Sequence, residues 1–251
     1  MKVAALQHDV VWQDASATID HVVPLIEAAA AAGARLSILT EMFSTGFTME
    51  PERFAESPDG PSTTFLMERA ARHQMWLAAS IPIRVEGGRP RNRFTLAGPG
   101  GEQFVYDKIH PFTYSGEHEH YEAGSTTITV EVDGVRVTPF VCYDLRFADS
   151  FWAAAPSTDL YVVVANWPEL RGQHWRSLLV ARAIENQAYV IGVNRVGEGG
   201  GVVYAGDSMM IDPLGEVLVA GDRSERVLSC DVEAGRVSSN RARYPFLQDR
   251  T

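Results

Sequence analysis

The chain contains 251 residues, of which 45% are hydrophobic and 22% are charged, proportions that are typical of a globular protein with a sizeable core. Its formal net charge of -10 at pH 7 argues against nucleic acid and anionic membrane surfaces as partners. No apolar segment reaches the roughly 18 residues that a membrane-spanning helix requires, and the first residues do not resemble a signal peptide. The only two cysteines, Cys142 and Cys230, are therefore expected to be free thiols in a reducing cytoplasm.

Short apolar runs that predict buried strands alternate with amphipathic segments that predict helices along the first half of the chain. The predicted strands are residues 3–7, 36–40, 76–81, 93–97 and 103–106, and the predicted helices are residues 16–32 and 64–74. Pro24 interrupts the first helical pattern, so we expect that helix to begin nearer His21 or to be kinked. Ser62 is predicted to be the N-cap of the second helix.

The second half of the chain continues the same mixture of strands and helices. The predicted strands are residues 127–132, 135–141, 160–165, 189–193, 208–211, 217–220 and 227–230, and the predicted helices are residues 145–155 and 173–187. No internal repeat or linker interrupts this pattern. We therefore predict one α/β domain over residues 1–251, with a core at residues 3–231 and a polar C-terminal tail at residues 232–251.

The segment VTPFVCYDLRF at residues 137–147 predicts a strand that ends at Cys142, followed by a sharp turn and the first turn of a helix. A side chain at such a turn projects above the sheet edge, where the free N–H groups of the following helix also point. A helix N-terminus and a neighbouring cation lower the pKa of a thiol, so Cys142 is a candidate nucleophile. The alternative is that Cys142 is a small buried hydrophobic residue, as lone cysteines after apolar runs usually are.

Two further ionisable residues also lie where predicted strands end. Glu41 follows the strand LSILT, and Lys108 follows the strand FVYD. In a single sheet with comparable strand directions, Glu41, Lys108 and Cys142 would meet at one edge. Each has a simpler explanation by itself, because Glu41 can cap or form an ion pair and Lys108 can be a solvated charge. We interpret their shared position as a candidate active site.

Five sequence blocks together resemble the signature motifs of the nitrilase, or carbon-nitrogen hydrolase, superfamily. They are TEMFSTGF, YDKIHPF, VCYDLRF, ANWP and ARAIENQAYV, and the resemblance extends from Val3 to about Ile211. Within the superfamily, EMFSTGF, CYDLRF, ANWP, the HW pair and NRVG are most similar to the omega-amidase branch. Members of that branch hydrolyse the terminal amide of 2-oxo-dicarboxylic acid monoamides such as 2-oxoglutaramate and 2-oxosuccinamate.

The resemblance implies a four-layer α-β-β-α sandwich of two packed sheets within a single domain. It places the catalytic triad of the family on Glu41, Lys108 and Cys142, and its second glutamate on Glu117, with Glu119 as the nearest competitor. It also implies a homodimer, and the polar tail could pack across the dimer interface. The implied partner is a small-molecule amide substrate, and no metal or other cofactor is required.

These residues suit amide hydrolysis in two steps through a thioester on Cys142. Glu41 would take the thiol proton and later give it to the departing ammonia. Lys108 cannot act as a base while it is a cation, so its ammonium and the main-chain N–H of Tyr143 would hold the oxyanion. Glu117 would orient the lysine or the hydrolytic water, or else would be a solvated loop charge.

The residues that would bind the substrate are harder to assign from the sequence. The candidates are Phe43, Tyr114, Arg146, Trp167 and His174. Arg146 lies one turn beyond Cys142 and could bind a substrate carboxylate, or could form a structural ion pair. The aromatic candidates could equally belong to the core. Asp144 is expected to serve the helix N-terminus rather than the reaction, and Cys230 is expected to be inert.

Three alternative functions fit parts of the sequence. His110, His118 and His120 lie near Glu117 and could bind zinc, but this set lacks a distant fourth ligand. A non-catalytic interaction protein on the same fold would be expected to have lost triad residues, whereas all three positions hold chemically competent side chains. Another amidase of the superfamily, specific for deaminated glutathione or for an N-carbamoyl amino acid, would share the triad and differ in the pocket.

Overall fold

The computed structural model describes residues 1–250, so Thr251, the last residue of the predicted tail, lies outside the described residues. The strands are β1 (Lys2–Gln7), β2 (Leu36–Ile38), β3 (Trp76–Ile83), β4 (Arg91–Ala97), β5 (Gln103–Asp107), β6 (Val130–Val132), β7 (Val135–Val141), β8 (Leu160–Ala165), β9 (Tyr189–Asn194), β10 (Val196–Gly199), β11 (Val202–Ala205), β12 (Met209–Ile211), β13 (Val217–Ala220) and β14 (Arg226–Asp231). The α-helices are α1 (Ala15–Ala31), α2 (Pro51–Phe54), α3 (Pro61–His73), α4 (Glu117–His120), α5 (Ala148–Ala154), α6 (Gly172–Asn186) and α7 (Ala234–Arg243). Short 3₁₀ helices occur at Thr113–Ser115, Cys142–Arg146, Ala155–Ser157, Glu169–Arg171 and Phe246–Asp249.

Most of the strands form two six-stranded sheets. The first sheet has the order β14-β1-β2-β3-β4-β5, the second has the order β13-β12-β9-β8-β7-β6, and β10 and β11 form a separate hairpin. Strands β1, β2 and β3 run parallel to one another, as do β7, β8 and β9. Because β4 is antiparallel to both β3 and β5, the carboxyl ends of β2 and β5 lie at the same edge of the first sheet.

The side chains of β1 point alternately to the two faces of the first sheet. Val3 and Ala5 belong to the apolar cluster that also contains the second sheet. Ala4 and Leu6 belong to the cluster that the first sheet forms with α1 and α3. This alternation follows from the two-residue period of a strand. Since Trp175 of α6 packs against the second sheet, the order of layers is helices, sheet, sheet, helices, which confirms the predicted four-layer α-β-β-α sandwich.

The first helix agrees with the predicted range of residues 16–32 to within one residue. It extends from Ala15 to Ala31 with Pro24 inside it, so the alternative of a start nearer His21 was wrong. The Asp14 side chain caps this end by accepting a hydrogen bond from the Ala17 N–H at 3.0 Å. The cap stabilises the first turns, so the helix extends well before the proline.

The start of α3 also differs from the prediction. Gly60 is the N-cap residue and Pro61 is the first helical residue, so the prediction of Ser62 as N-cap was wrong. Proline is favoured at this position because its missing N–H would have no helical partner. The Ser62 N–H is satisfied by Glu56 Oε2 at 2.7 Å, which replaces the side-chain cap.

The predicted polar tail forms a helix that packs on its own chain. Val237 of α7 is fully buried in the cluster that contains the second sheet. Arg241 Nη2 donates to the main-chain oxygens of Thr158 at 2.8 Å and Asn186 at 3.0 Å. The tail therefore contributes to the core of its own chain, which its polar composition did not predict. No helix within residues 1–250 is long and apolar enough to cross a membrane.

Candidate active site

Three ionisable side chains are buried together where strands of both sheets end. Lys108 directly follows β5, and its Nζ donates to Oε1 of Glu41, which follows β2, at 2.9 Å. Cys142 directly follows β7, and its thiol is close enough to Glu41 and Lys108 for their charges to shift its pKa. The sequence predicted a single sheet edge for all three residues, which was wrong, because Cys142 comes from the second sheet and the other two come from the first. The site therefore forms between the edges of two packed sheets.

A second glutamate binds the same ammonium group. Lys108 Nζ lies 2.8 Å from Glu117 Oε2 and 3.1 Å from Glu117 Oε1, and the Phe112 N–H donates to Oε2 at 2.5 Å. The Glu117 side chain is fully buried at the start of α4, whereas that of Glu119 is 70% exposed. Of the two glutamates that the sequence left open, Glu117 is thus the one that contacts the lysine, and it is not a solvated loop charge.

Lys108 remains a cation in this site. Burial alone lowers the pKa of its ammonium, but the carboxylates of Glu117 and Glu41 outweigh burial and hold the pKa above its usual value. Burial and the charge of Glu41 raise the pKa of Glu117, and Lys108 partly offsets that rise. The lysine is already protonated, so the carboxylates are the bases that stand near the thiol.

The Cys142 thiol is a weaker acid than an ordinary cysteine. Burial and the charge of Glu41 raise its pKa well above the usual value, and Lys108 opposes that rise only in part. The predicted lowering of the thiol pKa was therefore wrong. The helix that was expected to lower it is a short 3₁₀ turn, Cys142–Arg146, and the thiol itself is buried. A protonated thiol needs a base when it attacks, and Glu41 lies beside it.

The turn that carries Cys142 has an unusual backbone conformation. The φ angle of Cys142 is 47°, in the left-handed region that residues other than glycine rarely adopt. The helix predicted at residues 145–155 is divided at Phe147, whose backbone is extended, into the 3₁₀ turn Cys142–Arg146 and the separate helix α5. Because of this φ angle, the Cys142 side chain does not point in the direction that it would have if β7 continued through this residue.

Asp144 holds this turn in place with a fully buried carboxylate. Its oxygens accept hydrogen bonds from the Val141 N–H at 2.9 Å and from the Tyr106 hydroxyl at 2.8 Å. They also accept a hydrogen bond from the His110 N–H at 2.9 Å. The prediction that Asp144 serves the helix N-terminus thus describes one of its contacts, while the others join the nucleophile turn to the segment that follows Lys108.

Two buried asparagines that the sequence analysis missed contact the glutamates. Asn92 Nδ2 donates to Glu41 Oε1 at 2.8 Å and to Glu117 Oε1 at 3.1 Å. The Asn166 N–H donates to Glu41 Oε2 at 2.8 Å, and its Nδ2 donates to the Glu41 main-chain oxygen at 2.7 Å. Asn166 belongs to the ANWP block, so a signal for it existed. Asn92 directly precedes the predicted strand at residues 93–97 and belongs to none of the family motifs, so nothing in the sequence singled it out.

A cavity of about 250 Å³ adjoins the nucleophile. Its lining residues are Phe47, Phe112, Tyr114, Ser115, Cys142, Tyr143, Arg146, Asn166, Trp167, Pro168, Leu170, Arg171, Val202 and Tyr204. Among the predicted substrate-binding residues, Tyr114, Arg146 and Trp167 line it. Tyr143, the predicted oxyanion residue, lines it beside Cys142. The hairpin of β10 and β11, which the sequence analysis did not predict, contributes part of the wall.

Two of the predicted substrate-binding residues do not line the cavity. Phe43 is fully buried in the cluster beneath α3 and stacks on Phe65 with ring centroids 6.2 Å apart, so its prediction was wrong. The turn that follows Glu41 directs Phe43 into the core, while Phe47 reaches the cavity. His174 is exposed, and its Nδ1 lies 3.2 Å from Arg146 Nη2, so it contacts the cavity only through that arginine.

Two arginines line the cavity without a carboxylate partner in the described part of the chain. Arg146 Cζ lies 5.0 Å from the ring centroid of Trp167, and Arg171 Cζ lies 5.4 Å from that of Phe112. No Asp or Glu oxygen within residues 1–250 lies within 4.0 Å of either guanidinium, so Arg146 does not form the structural ion pair that the sequence left open. The sequence analysis missed Arg171. Free guanidinium groups favour a carboxylate ligand.

The side chains of the zinc alternative do not converge. His110 Nδ1 lies 2.8 Å from Asp144 Oδ1, and its ring stacks on Phe147 with centroids 3.7 Å apart. Glu117 is engaged by Lys108. No group of three His, Cys, Asp or Glu side chains within residues 1–250 has the arrangement of a metal site.

Comparison with known proteins identifies the family of this chain. A sequence profile of the carbon-nitrogen hydrolases matches residues 2–242. The chain belongs to the carbon-nitrogen hydrolase family. The predicted family is thereby confirmed, and this carbon-nitrogen hydrolase acts on carbon-nitrogen bonds other than peptide bonds.

Individual relatives agree with that membership. This carbon-nitrogen hydrolase is 38% identical to the omega-amidase YafV of Escherichia coli (strain K12), over 99% of its own chain and 96% of the relative. It is 32% identical to the 2-oxoglutaramate amidase of Bacillus subtilis (strain 168), over 84% of its own chain and 83% of the relative. The predicted similarity to the omega-amidase branch is confirmed.

A solved structure shows the same fold. It is the crystal structure of XC1258 from Xanthomonas campestris, a CN-hydrolase superfamily protein with an arsenic adduct in the active site. The TM-score is 0.95 at 37% identity, and the match covers 100% of this chain and 97% of that chain. The two-sheet arrangement that frames the site is therefore a property of the family.

We expect Cys142 to react slowly with iodoacetamide at neutral pH and faster as the pH rises. Because its pKa is raised, its thiolate fraction grows mainly above the ordinary cysteine pKa of about 8.5. Mass spectrometry of peptides after timed alkylation measures this rate separately from that of Cys230. Glu41→Gln removes a carboxyl group whose charge raises the pKa of the thiol, so the alkylation rate of Cys142 is expected to increase at a lower pH in that variant. A wild-type rate that is already maximal at neutral pH would contradict this expectation.

Proposed function

We propose that this carbon-nitrogen hydrolase is an omega-amidase, which hydrolyses the terminal carboxamide of small 2-oxo-dicarboxylate monoamides to an acid and ammonia. One observation carries the proposal: a single cavity contains Cys142, with Glu41 and Lys108 beside it, and two arginines that lack carboxylate partners among the described residues. The names of the relatives, omega-amidase and 2-oxoglutaramate amidase, support the same substrate class.

In the first half of the proposed reaction, the Cys142 sulfur attacks the amide carbon while Glu41 takes the thiol proton. The negative charge that develops on the carbonyl oxygen is stabilised by the Lys108 ammonium and the Tyr143 N–H. Collapse of the tetrahedral intermediate breaks the carbon–nitrogen bond, and Glu41 returns the proton so that ammonia departs. The acyl group remains on sulfur as a thioester.

In the second half, water attacks the thioester and Glu41 takes a proton from that water. The same donors stabilise the second oxyanion. Its collapse breaks the carbon–sulfur bond and releases the carboxylic acid, and Glu41 gives its proton to the sulfur to restore the thiol. Glu117 binds Lys108 through both carboxylate oxygens, at 2.8 Å and 3.1 Å, so we assign it the role of orienting the lysine. This scheme uses no metal or cofactor.

The free end of the substrate would bind the two arginines. A 2-oxo acid presents a carboxylate and an adjacent keto oxygen, which are acceptors that guanidinium groups bind well. Arg146 and Arg171 both line the cavity that contains Cys142, and each lies near an aromatic ring. A small substrate bound in this way would place its amide end at the nucleophile.

The wild type is expected to release ammonia from 2-oxoglutaramate and 2-oxosuccinamate, and Cys142→Ala is expected to lower that rate by at least about 10³-fold. Cys230→Ala is the matched control, because Cys230 is the other free cysteine and lies on β14 away from the cavity. Deaminated glutathione and an N-carbamoyl amino acid are assayed in parallel. Deaminated glutathione would release cysteinylglycine and the N-carbamoyl amino acid would release ammonia, so each product is assayed. Hydrolysis of only one of these two would refute the omega-amidase assignment and leave the triad in place.

Replacing the arginines should affect binding more than chemistry. Arg146→Met and Arg171→Met are each expected to raise KM for 2-oxoglutaramate about 10- to 100-fold with little change in kcat, since a hydrogen bond to a charged group contributes about 1.5–3 kcal/mol. Arg176→Met is the control, because Arg176 pairs with Asp207 at 2.5 Å and does not line the cavity. An unchanged KM in both cavity variants would argue against carboxylate binding there.

We further propose that residues 1–251 form one catalytic domain that acts as a homodimer in the cytoplasm. Exposed apolar side chains at Ile184, Leu214, Val217 and Leu218, which are 52%, 53%, 47% and 40% exposed, support self-association. The two free thiols support a reducing compartment. Sedimentation at micromolar concentration is expected to give the mass of two chains, and a monomer mass at that concentration would contradict the dimer.

A further inference from the structure

A single amide group contacts both buried glutamates. Asn92 lies on β4 and is 1% exposed, and its Nδ2 donates to Glu41 Oε1 at 2.8 Å and to Glu117 Oε1 at 3.1 Å. An amide nitrogen carries two N–H groups, so both are used. The Asn92 main-chain oxygen also accepts from the Lys108 N–H at 3.0 Å. The same residue thus anchors the backbone of the lysine and the side chains of both of its partners.

A serine hydroxyl fixes the direction of the Asn92 amide. Asn92 Oδ1 accepts a hydrogen bond from the Ser80 hydroxyl at 2.8 Å, and Ser80 Oγ accepts one from the Met42 N–H at 2.8 Å. Turning the amide over would place Oδ1 against two carboxylates and would remove both donors. Met42 is the residue after Glu41 and has a φ of 41°. These hydrogen bonds therefore connect the Asn92 side chain to the main chain of Met42, directly after the proposed base Glu41.

Neutral hydrogen-bond donors matter in this site because it contains two carboxyl groups and one ammonium. Ionisation of both Glu41 and Glu117 would leave one negative charge in excess beside Lys108, and each of these side chains is at most 1% exposed. Two like charges in one buried site make it costly to ionise both. Hydrogen bonds to the ionised form lower that cost without adding another charge.

We propose that Asn92 is a positioning residue for amide hydrolysis, which holds the Glu41 carboxylate in place by hydrogen bonding, and that Ser80 fixes the orientation of its amide. This inference rests on the proposed role of Glu41 as the base. Loss of the Asn92 donors would favour the protonated form of the base. The consequence is a change in the pH range over which the enzyme works, which a purely structural residue would not produce.

The principal test is Asn92→Leu, which keeps a branched side chain and removes both donors. We expect kcat/KM at neutral pH to fall about 10- to 100-fold, mainly through kcat. We also expect the acidic limb of the pH profile to move about one unit toward higher pH. Ser80→Ala keeps both donors but releases the amide, so it should shift the limb in the same direction, with a loss of about 3- to 10-fold.

The matched control is Asn186→Leu. Asn186 is fully buried, donates to the Arg182 main-chain oxygen at 2.9 Å within α6 and does not line the cavity. We expect this control to lower the thermal unfolding temperature and to leave the acidic limb in place. The proposal is overturned if Asn92→Leu and Ser80→Ala lose activity with the limb unmoved, or if both retain wild-type kcat/KM. If Asn92→Leu does not fold, the pH profile of Ser80→Ala is the test, and an unmoved acidic limb in that variant overturns the proposal.

The same assay separates this inference from the assignment of the substrate. The pH profiles are measured with whichever of the four amides the wild type hydrolyses. Hydrolysis of deaminated glutathione or the N-carbamoyl amino acid alone would refute the omega-amidase assignment, and a shifted limb with that substrate would still support the role of Asn92. Failure of the wild type to hydrolyse any of the four amides would overturn both proposals.

Discussion

The buried ammonium of Lys108, held between the carboxylates of Glu41 and Glu117, is the interaction on which the rest of the site depends. Moving a charge from water into a protein interior costs several kcal/mol unless the charge is paired and hydrogen-bonded. Here the ion pairs measure 2.9 Å and 2.8 Å, and main-chain N–H groups of Phe112 and Asn166 supply further donors. Because the Lys108 ammonium lies between both carboxylates, its removal would leave two buried glutamates without this ion-pair partner.

This arrangement explains why the site requires two sheets. The first sheet positions Glu41 and Lys108 at the ends of strands that run in the same direction, and the second sheet positions Cys142 and Asn166 after β7 and β8. A single sheet edge would leave these charges open to water on at least one side. Asp144 holds the two parts together, since it binds both the turn of the nucleophile and the segment that follows β5.

The sequence predicted the residues at strand ends better than those within strands. Glu41, Lys108 and Cys142 could be singled out because a reactive side chain after an apolar run is conspicuous, and the structure brings all three into one buried site. The sandwich itself followed from the family resemblance, because alternating strands and helices fit a doubly wound sheet equally well. Asn92 gave no signal, since polar residues near strands are usually exposed. Phe43 was misplaced and the acidity of the thiol was misjudged because both depend on burial, which is a tertiary property.

Strand β1 lies inside the first sheet, between its parallel neighbour β2 and its antiparallel partner β14. In the order of synthesis, β14 follows all the other strands. Until residues 226–231 leave the ribosome, one side of β1 presents main-chain N–H and C=O groups with no partner in the nascent chain, and such an edge is a template for aggregation. Pairing between segments so distant along the chain is also slow, because a long loop must close first. Completion of the first sheet, and protection of β1 from other nascent chains, therefore requires the synthesis of β14.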